Sequence, residues 1–172
     1  MVNRKGFEEI FFHEDFYCQM EILPIENLTH CKKELDLIEE NTQVDSDFGF
    51  SSIYQREIEE KSLKDLNITI FDIENRFKQS FSPYKKVYTG FSSYKEKAIN
   101  TLAYGDRAKN VIFIQHNEKN IITNMWLNRA FKEILNLPNA EDLIFVDWEF
   151  GAILPLIEQE SFETYLKDLK EY

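Results

Sequence analysis

The chain reads as an α+β protein: a largely antiparallel β-sheet covered by amphipathic helices, in a single globular domain over 1–172. Three observations predict this class. Apolar runs of strand length occur at 8–13 (EEIFFH), 111–116 (VIFIQH) and 143–149 (LIFVDWE). Stripes of helical period separate them, and several joins are short enough for hairpins, unlike the long alternating crossovers of a parallel sheet. Fifteen Phe and eight Tyr, against five Gly and four Pro, describe a core of large rings and few loops.

Residues 8–13 and 16–23 (FYCQMEIL) read as two strands of a hairpin around Glu14-Asp15, with Pro24 ending the second. Leu28, Cys31, Leu35 and Ile38 place a helix over 27–41. Asp, Ser and Gly cluster in 42–52, which reads as a loop, followed by a short strand over 51–58. One helical turn is expected at 62–66. Thr69 then caps a helix over 70–81, with Asp72 near its positive end and Ser82-Pro83 as its stop. A strand over 85–91 leads to a helix over 94–104 that ends at Gly105. After 111–116, a turn at 117–120 joins 121–123. Asn124 opens a helix over 125–136 with Trp126, Ala130, Phe131 and Ile134 inward. A C-terminal helix spans 158–171.

The opening MVNRKGFEEIFF has only three consecutive apolar residues, Ile10 to Phe12, too few for a signal-peptide core. Cys18 and Cys31 are too few and too isolated for a disulfide framework, so a reduced cytoplasmic protein is expected, away from membranes. Net charge is −11, which disfavours direct nucleic-acid binding. The charge is unevenly spread. Residues 1–60 hold 15 acids and 5 bases, 61–137 hold 7 and 13, and 138–172 hold 9 and 2.

Catalytic signatures are sparse. His13, His30 and His116 lie in separate elements, and no Cys-x-x-Cys occurs, so neither a metal nor another cofactor is expected. Asp45-Ser46-Asp47 resembles the start of a calcium loop, but Arg56 stands where the twelfth-position Glu would be needed. No Gly-x-Ser-x-Gly elbow and no phosphate-binding glycine loop is present. Asp147 and Glu149 alternate on one strand face with Phe145, while Ile144, Val146, Trp148 and Phe150 form the apolar face. A metal-dependent hydrolase would need a third ligand and a base beside that pair, and no Lys lies between Lys132 and Lys167. The pair therefore reads as a solvent-facing acidic edge.

The clearest candidate for binding is the acidic segment 34–60. Glu39, Glu40, Asp45, Asp47 and Glu57 are interleaved there with Phe48, Phe50 and Tyr54, the composition of an aromatic anchor ringed by carboxylates. Asp147 and Glu149 add a secondary acidic edge. A small, acidic, aromatic-rich α+β chain of this kind resembles in type the immunity proteins that bacteria carry against their own toxins. That resemblance implies a non-catalytic inhibitor that occludes a basic toxin domain, such as a nuclease. The alternatives are a metal-dependent hydrolase using clustered carboxylates, or a non-catalytic scaffold. Locally, RFKQSFSP followed by VIFIQHNEKNIITNMWLNRAF is similar in order to a family of uncharacterised bacterial domains. Asn128-Arg129-Ala130 stands where that family has an Asp-Arg-Gly turn.

Overall fold

The computed structural model describes residues 7–13, 19–41, 43–45, 49–52, 55–57, 61–77, 80–106 and 109–169. Its strands are β1 (Phe7–Phe11), β2 (Met20–Pro24), β3 (Gln43–Asp45), β4 (Gly49–Ser52), β5 (Ser82–Phe91), β6 (Tyr94–Lys97), β7 (Thr101–Asp106), β8 (Asn110–His116), β9 (Ile122–Leu127), β10 (Leu143–Asp147) and β11 (Ala152–Pro155). Three α-helices are described, α1 (Leu28–Asn41), α2 (Ile70–Phe77) and α3 (Gln159–Asp168), with short 3-10 turns between. Nine strands form one sheet in the order β1-β5-β7-β8-β9-β2-β10-β11, with β6 also on β5, while β3 and β4 pair separately. All the described pairings in the large sheet are antiparallel except β1 with β5. The class is α+β, with a mixed and mostly antiparallel sheet.

Alternation along the strands sorts their side chains onto two faces. Ile22, Ile112, Ile114, Met125, Leu127, Leu143 and Phe145 join the main core under α2 and α3, with Ile73, Phe77 and Phe162. Their neighbours point the other way. Leu23, Ile144 and Val146 meet Cys31 beneath α1. Ala103, Val111 and Phe113 are covered by Ile10, Phe12, Tyr84 and Val87. Phe12 stacks on Phe113 with ring centroids 4.0 Å apart. Helices therefore cover the sheet only in part, and the β1–β5 end curls over the remainder of the second face.

Thr69 caps α2 as its sequence predicts. Its N–H donates to Asp72 Oδ2 at 2.9 Å, its hydroxyl donates to the same oxygen at 2.7 Å, and the Asp72 N–H returns to Thr69 Oγ1 at 3.4 Å. The helix is shorter than its apolar stripe suggests and ends at Phe77. A 3-10 turn at Leu63–Leu66 and α3 also lie where their sequences place them. No helix among the described residues is long and apolar enough to cross a membrane.

Four expectations are corrected. β1 and β2 do not form a hairpin: β1 runs parallel to β5, and β2 lies between β9 and β10. The 94–104 helix is replaced by β6, which is exposed throughout, and by β7, where Leu102 and Tyr104 face the main core while Ala103 faces the opposite cluster. A segment buried on both faces loses strict alternation and imitates a helical stripe. The 125–136 helix is β9 running on to Leu127, followed by a 3-10 turn at Lys132–Asn136. The tight loop at 117–120 holds it in register with β8: Asn117 Oδ1 accepts the N–H groups of Lys119 and Ile121, and Asn120 takes a left-handed φ of 62°. Finally, the loop expected at 42–52 contains the β3–β4 hairpin.

The α2 cap gives a testable energy. Thr69→Ala should destabilise the protein by about 1 kcal/mol at neutral pH in urea unfolding. The Thr69 hydroxyl, then its backbone N–H, hold the Asp72 carboxyl below its usual range. A depressed carboxylate stabilises the fold above its unfolded value and loses that contribution as pH falls through the folded value. The difference between wild type and Thr69→Ala should therefore narrow below about pH 4.

Candidate functional site

An open groove of about 650 Å³ runs between α1 and the turn that joins β10 to β11. Lys32, Leu35, Asp36, Ile38 and Glu39 form the α1 side, and Trp148, Glu149, Phe150, Gly151 and Ile153 form the other. The helical period produces this wall: Cys31 and Glu34 turn into the protein, Leu35 and Ile38 sit half-buried at its margin, and Asp36 and Glu39 face solvent. Opposite them, Glu149 is exposed and Phe150 is 54% exposed, although its alternation with Val146 places it in the core by sequence. β10 ends at Asp147, so alternation does not extend to Phe150.

Asp147 builds that turn. Its Oδ1 accepts the N–H groups of Glu149 and Phe150, each at 3.0 Å, and its Oδ2 accepts the Tyr165 hydroxyl from α3. Gly151 completes the turn at φ 67°, a left-handed value that a side chain would disfavour. Asp147 is fully buried on a strand flanked by β2 and β11. The acidic edge expected at this position is thus corrected: Asp147 is an internal cap, and Glu149 alone of the pair reaches solvent. Burial, then the hydrogen bond and charge of Asp147, push the Tyr165 phenol well above its ordinary range.

A second polar cluster fixes Trp148. Its Nε1–H donates to Glu21 Oε1 at 2.6 Å, and Arg56 donates to the same oxygen at 3.0 Å. The Arg56 guanidinium also lies over the indole, 3.8 Å from its centroid. Glu34, buried on α1, accepts the Glu57 N–H at 2.9 Å. Residues 55–57 are thereby fastened to β2, α1 and the turn after β10. Trp148 belongs both to this cluster and to the groove wall.

The fold therefore brings Glu39 and Glu149, far apart in sequence, to opposite sides of one groove. Glu40 is exposed on α1 but does not line it, and Glu57 is exposed on the fastened segment. Asp45 and Phe50 lie on β3 and β4. Asp47, Phe48 and Tyr54 fall outside the described residues. Sequence reasoning missed Glu21, Glu34, Arg56, Trp148 and Phe150 as site residues. Two signals were available: Glu21 interrupts an apolar strand, and Glu34 continues the stripe of Leu28 and Cys31. They mark a buried carboxylate at Glu34 and a partly buried one at Glu21, which need partners. Among the described residues, no group of three or more His, Cys, Asp or Glu side chains comes together as a metal site.

Compared with protein-family models, curated proteins and solved structures, the chain matches none.

Asp147→Ala should cost about 3 kcal/mol in urea unfolding, because it leaves two turn N–H groups and a phenol without their acceptor. Tyr165→Phe, which removes one hydrogen bond to a charged group, should cost about 2 kcal/mol. The raised Tyr165 value also sets a pH window. The stability it contributes is full below the unfolded value of about 10 and is lost as pH rises through the folded value. An absorbance titration should show one tyrosine fewer ionising above the ordinary phenol range in Tyr165→Phe.

Proposed function

We propose that this chain is an immunity-type inhibitor, acting in the cytoplasm, that binds a basic bacterial toxin domain in the α1/β10–β11 groove and occludes the toxin's active site. The observation that carries this reading is the groove itself. Asp36, Glu39 and Glu149, against one base, Lys32, surround a floor containing Leu35, Ile38, Trp148 and Ile153, with Phe150 standing exposed at the rim. Carboxylates around an aromatic anchor steer a basic partner inward and then surround the contact that holds it. The turn and the indole are pre-positioned by Asp147 and Glu21, so little ordering is lost on binding.

The hydrolase alternative has less support. Asp147, which it requires as a ligand, is buried and already accepts three hydrogen bonds from the chain's own groups. Among the described residues, Glu149 belongs to no group of three or more metal-ligating side chains.

The test is co-expression with the product of the adjacent gene, scored by survival and by calorimetry on the purified pair. Wild type should restore growth. Glu39→Lys with Glu149→Lys should abolish protection while leaving the circular-dichroism melt unchanged. Phe150→Ala should weaken binding at least tenfold, about 1.4 kcal/mol. Undiminished protection by the charge-reversed protein would sink the proposal.

A further inference from the structure

The β5–β6 hairpin carries a surface of the opposite character. Phe91 and Tyr94 face each other across the two-residue tip Ser92-Ser93 and are 49% and 70% exposed. Every residue of β6 is exposed, including Lys95 and Lys97. From 82 to 97 there are four lysines and one acid, Glu96. Lys85 pairs with Glu8 at 2.6 Å, and all four lysines are exposed. Gly90 adopts φ 93°, and a Cβ there would come within 2.5 Å of the Tyr94 carbonyl oxygen. His13 packs edge-on against both Phe11 and Phe91, and Lys95 Nζ lies 4.5 Å from the Phe11 ring centroid.

This knob has the chemistry that the groove is suited to receive: aromatic tips flanked by lysines, against apolar walls flanked by Asp36, Glu39 and Glu149. The two lie toward opposite ends of the sheet, with β7, β8, β9 and β2 between them. A chain does not reach its own groove with its own hairpin, so a hairpin seated there has to come from a second copy. Resting on the reading of the groove as a recognition surface for basic partners, we propose that the β5–β6 hairpin of one copy seats head to tail in the groove of another. Self-association then masks the groove until a more basic partner displaces the hairpin. Such a contact is heterologous: each pair leaves one knob and one groove open, so assembly grows with concentration.

Sedimentation velocity on the full chain tests this. At about 0.1 M salt the Debye length of about 10 Å screens the long-range repulsion between chains of like net charge but preserves pairs in contact. There, wild type should sediment faster as concentration rises, and at about 1 M salt it should revert to monomer. Lys95→Glu/Lys97→Glu reverses the charge of the knob, and Glu39→Lys/Glu149→Lys reverses the groove. Each variant alone should be monomeric. Mixed in equal amounts, they should associate again, because the native hairpin of one fits the native groove of the other and the reversed hairpin fits the reversed groove. Wild type that remains monomeric throughout, a mixture that remains two monomers, or association that persists in both single variants would overturn the proposal. The groove reading is tested separately. Protection against the toxin by the Lys95→Glu/Lys97→Glu chain should equal wild type even where self-association fails. Loss of neither protection nor association in the groove variant would remove both.

Discussion

Five consecutive residue pairings join Met20–Pro24 to Leu143–Asp147, and the candidate site depends on them. They place Glu21 opposite Val146, within reach of the Trp148 indole, across a sequence separation of 127 residues. They also bury β10 between two neighbours, which turns Asp147 from a surface acid into the cap of the β10–β11 turn. Bringing such distant segments together costs loop-closure entropy, and the favourable terms that offset it are strand pairing and burial on both faces. Ile22 and Phe145 enter one core, while Leu23, Ile144 and Val146 enter another.

That arrangement gives the carboxylates three different roles. Asp147 and Glu34 are buried and accept hydrogen bonds from backbone groups, so their charge holds structure in place. Glu21 is shared between an indole and a guanidinium and fastens one segment to another. Asp36, Glu39 and Glu149 remain at the surface, free of such duties among the described contacts, and set the field of the groove. A buried acid without its partners is expensive, whereas an exposed acid costs little and acts over a Debye length. The division between structural and groove-lining carboxylates follows from burial.

Local periodicity made much of the fold legible. The strands at 111–116 and 143–147, the helix after Asn27, the cap at Thr69 and the C-terminal helix all lie where sequence patterns put them. Patterns failed where a strand is covered on both faces. At 101–106 and 122–127, alternate residues fill two different cores, so the apolar residues no longer alternate with polar ones. Spacings such as Trp126–Ala130 then resemble a helix turn. The β1–β5 pairing was illegible for a related reason: sequence neighbours suggest a hairpin, while Ile10 and Phe12 find better burial against Val87 and Phe113.

By itself the sequence determined the α+β class, the acidic balance and the supply of carboxylates and rings on which the groove draws. Glu39 and Glu149 were identifiable as candidates from residue type and setting. Only tertiary structure decided that these two meet across a groove, that Asp147 does not, and that Arg56 and Glu21 hold the tryptophan between them. The reason is physical. Periodicity reports which face of a local segment avoids water, whereas the partner of that face is chosen by packing and charge complementarity among segments that are remote along the chain.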